Sequence, residues 1–291
     1  MVAEIATIVA PVLLIALIGF VWARSGAKFD TGMITSLGMM LGTPCLAVDT
    51  FIRVKPTPAA FAEILAAGVC LFIGYALLGF VVLKLARMPV RDYLGALMFP
   101  NMGNMGLPLS LFAFGEQGLT IAIVLFAISA IGNFTIGTSI AAGSMNPAVI
   151  VRMPIIYAVG VALLITVTDL QVPQFLQNTL RLLSGLTVPL MLVALGVSLS
   201  RLKARSLPRA FFLALVRMLG GFGIGLLICW LFELEDPARG VVLLQSTMPA
   251  AVFNYLFAER YGRDAPGVAG VVLLSTVMSF ATLPLLLWFI L

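Results

Sequence analysis

Apolar runs of about twenty residues recur along this chain, separated only by short polar stretches. An α-helix needs about 20 predominantly apolar residues to cross the roughly 30 Å hydrocarbon layer of a bilayer. A window of that length picks out ten candidate spans, at 3–23, 31–52, 60–83, 93–113, 118–141, 148–168, 180–200, 207–232, 238–258 and 266–290. The runs do not alternate apolar with polar residues, which excludes a transmembrane β-barrel. Composition points the same way: of 291 residues 62% are hydrophobic and 10% charged, with mean hydropathy +1.15, whereas soluble domains carry about 25% charged residues. Seventeen Lys and Arg with twelve Asp and Glu are too few to coat a globule of this size. The expectation is an all-α integral membrane protein whose main partner is the lipid bilayer.

The net charge of +5 does not mark a nucleic-acid partner, because the cations sit between apolar runs and not on one face. They read as topology signals, since Lys and Arg in short loops are retained in the cytoplasm. Arg24, Lys28, Lys84, Arg87, Arg91, Arg152, Arg201, Lys203, Arg205, Arg209, Arg260 and Arg263 flank the odd-numbered loops, twelve in all. The other side holds four: Arg53, Lys55, Arg181 and Arg239. Both termini are therefore expected outside the cytoplasm. The segment from Met1 has no positive n-region and leads into a long apolar run, which predicts a first span and not a signal peptide. Cys45, Cys70 and Cys229 lie far apart inside apolar runs, and there is no His, so no disulfide framework or metal-ligand spacing is present.

Ten spans divide into 1–146 and 147–291, near Ser144-Met-Asn-Pro147, and five spans per half make the second half run inverted through the membrane. An offset of 145 residues pairs Pro44 with Pro189 and sets Asn104 opposite Pro249. Four spans carry helix breakers: Gly42-Thr43-Pro44, the stretch Asn101 to Pro108, Pro189, and Pro249. Interrupted spans at matching places in two halves point to the binding site of an inverted-repeat transporter.

Backbone in hydrocarbon must satisfy its N–H and C=O groups, so an unwound stretch is expected only against protein or a water-filled cavity. Asn101, Gly103, Asn104, Gly106 and Pro108 combine carboxamides, close-approach glycines and a missing donor. A half-helix starting there would present free N–H groups and a positive dipole to an anion. Gln245, Pro249 and Asn254 supply a similar set in span 9, while Ser129 and Asn133, four residues apart, share one face of span 5. Arg217 lies inside span 8, where a lone guanidinium costs at least about 2.5 kcal/mol. It either pairs with a substrate carboxylate, tethers span 8 by capping carbonyls of a broken helix, or snorkels to the cytoplasmic surface. Asp49, four residues before Arg53, predicts a local ion pair near the outer end of span 2. Thr135, Thr138, Ser275, Thr276 and Ser279 are candidate oxygens for sodium. No cofactor is expected, though sodium or proton coupling is open.

Two motifs carry a family resemblance. Phe99-Pro-Asn-Met-Gly-Asn-Met-Gly-Leu-Pro108 and Thr247-Met-Pro-Ala-Ala-Val-Phe-Asn-Tyr-Leu-Phe-Ala-Glu-Arg-Tyr261 closely resemble the auxin efflux carrier family, which includes plant PIN-type carriers and bacterial malate or malonate permease-like proteins. Val216-Arg217-Met-Leu-Gly-Gly221 is similar to that family's Arg-containing segment. The resemblance implies a fold similar to sodium/proton antiporters and bile acid symporters. Spans 1, 2, 6 and 7 would form a scaffold, and spans 3–5 and 8–10 a transport domain in which broken spans 4 and 9 cross. It also implies that small organic anions, dicarboxylate or auxin-like weak acids, bind at that crossover, with Asn101, Asn104 and Pro108 on the span 4 motif and Pro249 on the span 9 crossover proline. The large central cytoplasmic loop of the plant members is missing. The leading expectation is a secondary transporter working by elevator-like movement; the alternative is an anion channel or uniporter without ion coupling. Catalysis is not expected, because no nucleophile and base pair is present. Gly38-x-x-x-Gly42 in span 2 would permit the close helix approach of a homodimer through the scaffold.

Overall fold

Helices fill the apolar windows, and their ends follow from proline and capping residues. The computed structural model describes residues 2–26, 29–144, 151–204 and 206–291. The helices are α1 (Val2–Arg24), α2 (Thr31–Leu37), α3 (Thr43–Val54), α4 (Pro58–Leu85), α5 (Val90–Met98), α6 (Leu107–Gly132), α7 (Thr138–Ala142), α8 (Pro154–Thr168), α9 (Gln174–Arg201), α10 (Leu207–Leu231), α11 (Ala238–Ser246), α12 (Val252–Arg260) and α13 (Ala265–Ile290). Three π-helical turns, Gly38–Gly42, Met102–Gly106 and Asn133–Gly137, join α2 to α3, lead into α6 and join α6 to α7. The junction at 146/147, the first residues of the 148–168 window, Lys28 and Arg205 lie outside the described residues. Among the described residues, seven helical segments are long and apolar enough to cross a membrane. The protein is thus an all-helical, multi-pass integral membrane protein.

One of those segments, Met102–Ala142, runs 41 residues. At about 1.5 Å per residue that is roughly twice the hydrocarbon thickness. Gly115 divides it: its φ of 64° and ψ of −156° are non-helical and turn the chain back. Elsewhere the ends are capped locally. Thr57 accepts from the Ala60 N–H at 3.2 Å to start α4, and Asp264 accepts from the Gly267 N–H at 3.0 Å to start α13. A proline sits in the first turn of α4, α8, α10 and α13, where its missing N–H costs nothing.

The interruptions differ from the sequence expectation. Span 2 does not unwind at Gly42-Thr43-Pro44; it widens into the π turn Gly38–Gly42 and continues as α3. Thr43 returns both its N–H and its hydroxyl (2.9 Å) to the Gly38 carbonyl, a local adjustment that lets a membrane helix pass a proline. Span 7 does not break at Pro189, which lies inside the continuous α9. In span 4 the unwound part is Phe99–Asn101, centred on Pro100; from Met102 onward the chain is helical again, and Pro108 sits in the first turn of α6 after a π turn like that before Pro44. The spacing also changes. Element starts recur at 148–149 residues and not 145: α10 follows α4 by 207 − 58 = 149, α11 follows α5 by 238 − 90 = 148, and α13 follows the resumption after Gly115 by 265 − 116 = 149. On that spacing Pro249 stands opposite Pro100, not Asn104.

Two groups of helices pack most extensively. Helix α1 runs along α9, and α3 lies against α8 and α9; α4, α5, α6, α10, α11 and α13 pack among themselves. Contact between α1 and α9 is backbone-close: a Cβ on Gly196 would lie 1.8 Å from the Ala16 carbonyl oxygen. The Gly38-x-x-x-Gly42 face is used inside the chain and is not free for a second copy. A Cβ on Gly42 would meet the Thr187 hydroxyl at 2.6 Å, and Gly38 faces Met191. Large apolar side chains such as Leu77, Leu164, Leu182 and Trp230 point outward, as a bilayer-facing surface requires.

The Asp49–Arg53 pair forms (2.8 Å), and it reaches further than one helix turn. Arg53 also pairs with Glu116 at 2.5 Å, and the buried Asp49 accepts from Ser184 at 3.1 Å, so α3 is joined to the start of the Gly115–Gly132 segment and to α9. Lys55 pairs with Asp169 nearby, which holds the exposed carboxyl below its usual range.

Candidate functional site

Prolines 100 and 249 remove donors from two helices at depth, and the freed backbone finds partners in the other break. The Asn101 N–H donates to the Pro249 carbonyl at 2.7 Å, and the Ala251 N–H donates to the Phe99 carbonyl at 3.0 Å. Pro100 and Ala250 thus form an antiparallel bridge. Two interruptions bring four helix ends together here: the C-terminal ends of α5 and α11, and the N-terminal ends of the Met102 turn and α12. An acceptor comes from the side: the Ala250 N–H donates to Ser275 Oγ of α13 at 3.1 Å.

Asn101 caps the new helix, its Oδ1 accepting from the Asn104 N–H at 3.3 Å. Its Nδ2 is buried and has no partner, as is the Oδ1 of Asn133. Both side chains line one cavity, together with Gly103, Asn104, Ser129 and the first residues of α12. Ala251 provides no side-chain cap to α12, so the leading amides of that helix are not satisfied by their own N-cap. Apolar walls close the cavity: Met39 from the π turn of span 2, Met191 from α9, Phe126, Phe134 and Phe253. The space a water molecule can occupy is about 40 Å³, enough for a few waters at roughly 10–15 Å³ each. An apolar space of about 130 Å³ adjoins it through Met39, Phe126, Ala130 and Phe134 and extends to the exposed Arg152.

Sequence-predicted residues divide into two sets. Asn101, Gly103, Asn104, Ser129 and Asn133 come together at the cavity. Gln245, Asn254, Gly106, Pro108 and Pro249 are buried beside it and hold the break. The Asn254 carboxamide donates to the carbonyls of Phe99 and Ala251, both at 3.0 Å, while Gln245 donates to Ser110 at 3.1 Å and packs against Gly106. Arg217, only 2% exposed, lies on the opposite side of the break and caps backbone carbonyls of Leu97 (2.6 Å) and Ser246 (2.5 Å). The candidate sodium oxygens each donate to their own helix: Thr135 to Ile131, Thr138 to Phe134, Thr276 and Ser275 to Val272, and Ser279 to Thr276. Pro100, Met39, Met191 and Phe126 were not singled out by sequence; only Pro100 carried a signal, as the first proline of the Phe99–Pro108 motif.

Residues 140–288 match the family described as "Membrane transport protein". The chain belongs to that family, the auxin efflux carriers. An uncharacterized transporter of Methanocaldococcus jannaschii is 25% identical over 238 residues, covering 76% of each chain. An uncharacterized transporter of Methanothermobacter thermautotrophicus is 26% identical over 192 residues, 64% of this chain and 63% of the relative. Family and relatives make the chain a membrane transporter, and two of the residues lining the cavity beside the breaks, Asn101 and Asn133, carry buried unpartnered groups.

Proposed function

We propose that this transporter is a secondary carrier of small organic anions, dicarboxylates or auxin-like weak acids, and that the anion binds at the crossing of the two interrupted helices. The single observation that carries the proposal is the buried, unpartnered Nδ2 of Asn101, a residue of the cavity lining at the start of two half-helices. A carboxylate oxygen satisfies that donor, and the uncapped amides and positive dipole ends stabilise its charge. Asn133 Oδ1 can accept from a hydroxyl or protonated carboxyl on the same ligand.

The carrier has ten membrane-spanning units in two inverted sets of five, 1–146 and 147–291. The recurrence of three element starts at 148–149 residues and the antiparallel bridge between Pro100 and Ala250 support this arrangement. Spans 1, 2, 6 and 7 form the scaffold, in keeping with the packing of α1 and α3 on α8 and α9; spans 3–5 and 8–10 move against it. The closed 40 Å³ cavity is one state of an alternating-access cycle, and the apolar space running to Arg152 is the cytoplasmic way in. The membrane is the cytoplasmic membrane, with both termini outside. Any homodimer uses a face other than Gly38-x-x-x-Gly42.

A thermal-shift series on the purified protein with malonate, malate and indole-acetate, across sodium concentrations and pH values, tests the ligand class. At 100 times Kd a ligand stabilises by about 2.7 kcal/mol. Counterflow of the labelled acid in proteoliposomes then separates carrier from pore. Absence of stabilisation by every acid, or flux that neither saturates nor shows counterflow, rejects the proposal.

A further inference from the structure

Arg217 is the largest fully buried side chain of the protein, and its partners are unusual for a buried cation. Among the described residues no carboxylate lies within ion-pair distance of it. One Nη donates to Leu97, in the last turn of α5, and the other to Ser246, the last residue of α11. Both carbonyls belong to the group of four that every helix C-terminus leaves without an intrahelical donor. The guanidinium also lies over the Tyr75 ring, 4.2 Å from its centroid, and the Tyr75 hydroxyl is 3.4 Å from the same Ser246 oxygen. The fit is built on both sides. A Cβ on Gly221, one turn after Arg217, would stand 2.1 Å from the Ser246 oxygen and 2.6 Å from Arg217 Nη2, so α10 approaches the end of α11 only because that position is glycine.

Charge bookkeeping gives this contact a role. Each helix C-terminus carries roughly −0.5 of an elementary charge, so the two ends together carry about −1, which one guanidinium balances. The two N-terminal ends facing the cavity keep about +1 between them. We propose that Arg217 is a resident cation for the paired half-helix C-termini, so that the crossing takes its anion without a co-bound inorganic cation. This rests on the anion site proposed above in its second clause only.

The experiment replaces the side chain and returns the ion from solution. Arg217→Ala, purified in detergent, is expected to have a lowered thermal midpoint that rises again with guanidinium or methylguanidinium at about 10 mM, where a millimolar Kd shifts the folding equilibrium roughly tenfold. Methylammonium and sodium at equal ionic strength should not restore it, because neither forms a planar fork to two carbonyls. No recovery with guanidinium, or equal recovery with sodium, overturns the resident-cation assignment. Where Arg217→Ala cannot be purified, Arg217→Lys decides: one ammonium replaces two directed donors, and amide exchange in 97–101 and 246–251 should quicken at least tenfold while α1 and α9 stay unchanged. Unchanged exchange there overturns the assignment equally. Binding of malonate and indole-acetate to wild type should be the same in sodium and in N-methylglucamine medium; dependence on sodium rejects the second clause. Failure of wild type to bind either acid rejects the anion site, and the thermal arm still decides Arg217.

Discussion

Asn101 uses its two ends differently: Oδ1 caps the Asn104 N–H, and Nδ2 is buried with no partner among the described residues. Substitution by aspartate separates the two roles. Asn101→Asp keeps the capping oxygen and the size, so the fold should hold, while an oxygen replaces the donor. Two unit charges about 4 Å apart at an effective dielectric of 20 repel by about 4 kcal/mol, close to a thousandfold in affinity. If the new carboxyl stays protonated, loss of the donor still costs about 1–3 kcal/mol. Asn178→Asp is the control, since that exposed side chain pairs only with Gln174 at 2.9 Å. Isothermal titration of the stabilising acid reads both; Asn101→Asp binding within about threefold of wild type places the anion elsewhere. The same residue shows what sequence conveys about a site. A carboxamide in an apolar span is conspicuous, and Asn101, Asn104, Ser129 and Asn133 do share one cavity. Direction is not conveyed: Asn254 and Gln245 turn to the helix breaks and neighbouring helices, because a crossing of two breaks needs donors for its own carbonyls. Met39 and Met191 gave no signal, as apolar residues in apolar spans cannot.

Among elements, the positions of the helices were legible, and the places where they break only in part: the breaks beside Asn101 and at Pro249 exist, those at Pro44 and Pro189 do not. Length and hydropathy locate a span, since the bilayer fixes both. Proline marks a break only where no neighbouring donor takes up the freed carbonyl. Pro44 and Pro108 follow π turns that widen the helix ahead of the ring, whereas Pro100 and Pro249 find their partners in each other's segment, 149 residues away. Close contact between elements makes its own prediction. Gly196 meets the Ala16 carbonyl and Gly19 the Val193 carbonyl, so α1 and α9 touch backbone to backbone. Gly196→Val cannot be absorbed by a side-chain rotation and should destabilise by about 1–3 kcal/mol through overpacking. Gly160→Ala in α8, with nothing within 4 Å of its added Cβ, should instead stabilise by about 0.4–1 kcal/mol. Thermal midpoints in one detergent compare them; a Gly196→Val midpoint no lower than that of wild type would overturn the backbone-to-backbone packing of α1 on α9.

At the scale of the whole molecule, the contacts between loops agree with the sorting of cations along the sequence. Arg201, at the end of α9, donates to the Phe29 carbonyl in the connection after α1 at 2.7 Å, and Arg263, after α12, donates to Ala141 at the end of α7 at 2.7 Å. Both contacts join cation-rich loops. On the other face Lys55 meets Asp169 and Arg53 meets Glu116, joining loops that carry few cations. The twelve cations of one face against four of the other leave an excess of eight. Moving one elementary charge across a membrane costs about 2.3 kcal/mol per 100 mV, so this excess weighs against the inverted orientation far more than any single loop can. The cation-rich face should therefore be cytoplasmic, and α1 should begin and α13 end outside. A fluorescent protein that matures only in the cytoplasm should stay dark when fused after Leu291 and glow when inserted after Lys203, in the α9–α10 connection; alkaline phosphatase, active only outside, should give the reciprocal pattern. A bright fusion at Leu291 together with a dark one at Lys203 would reverse the orientation, and with it the assignment of Arg152 to the cytoplasmic mouth of the apolar space beside the crossing.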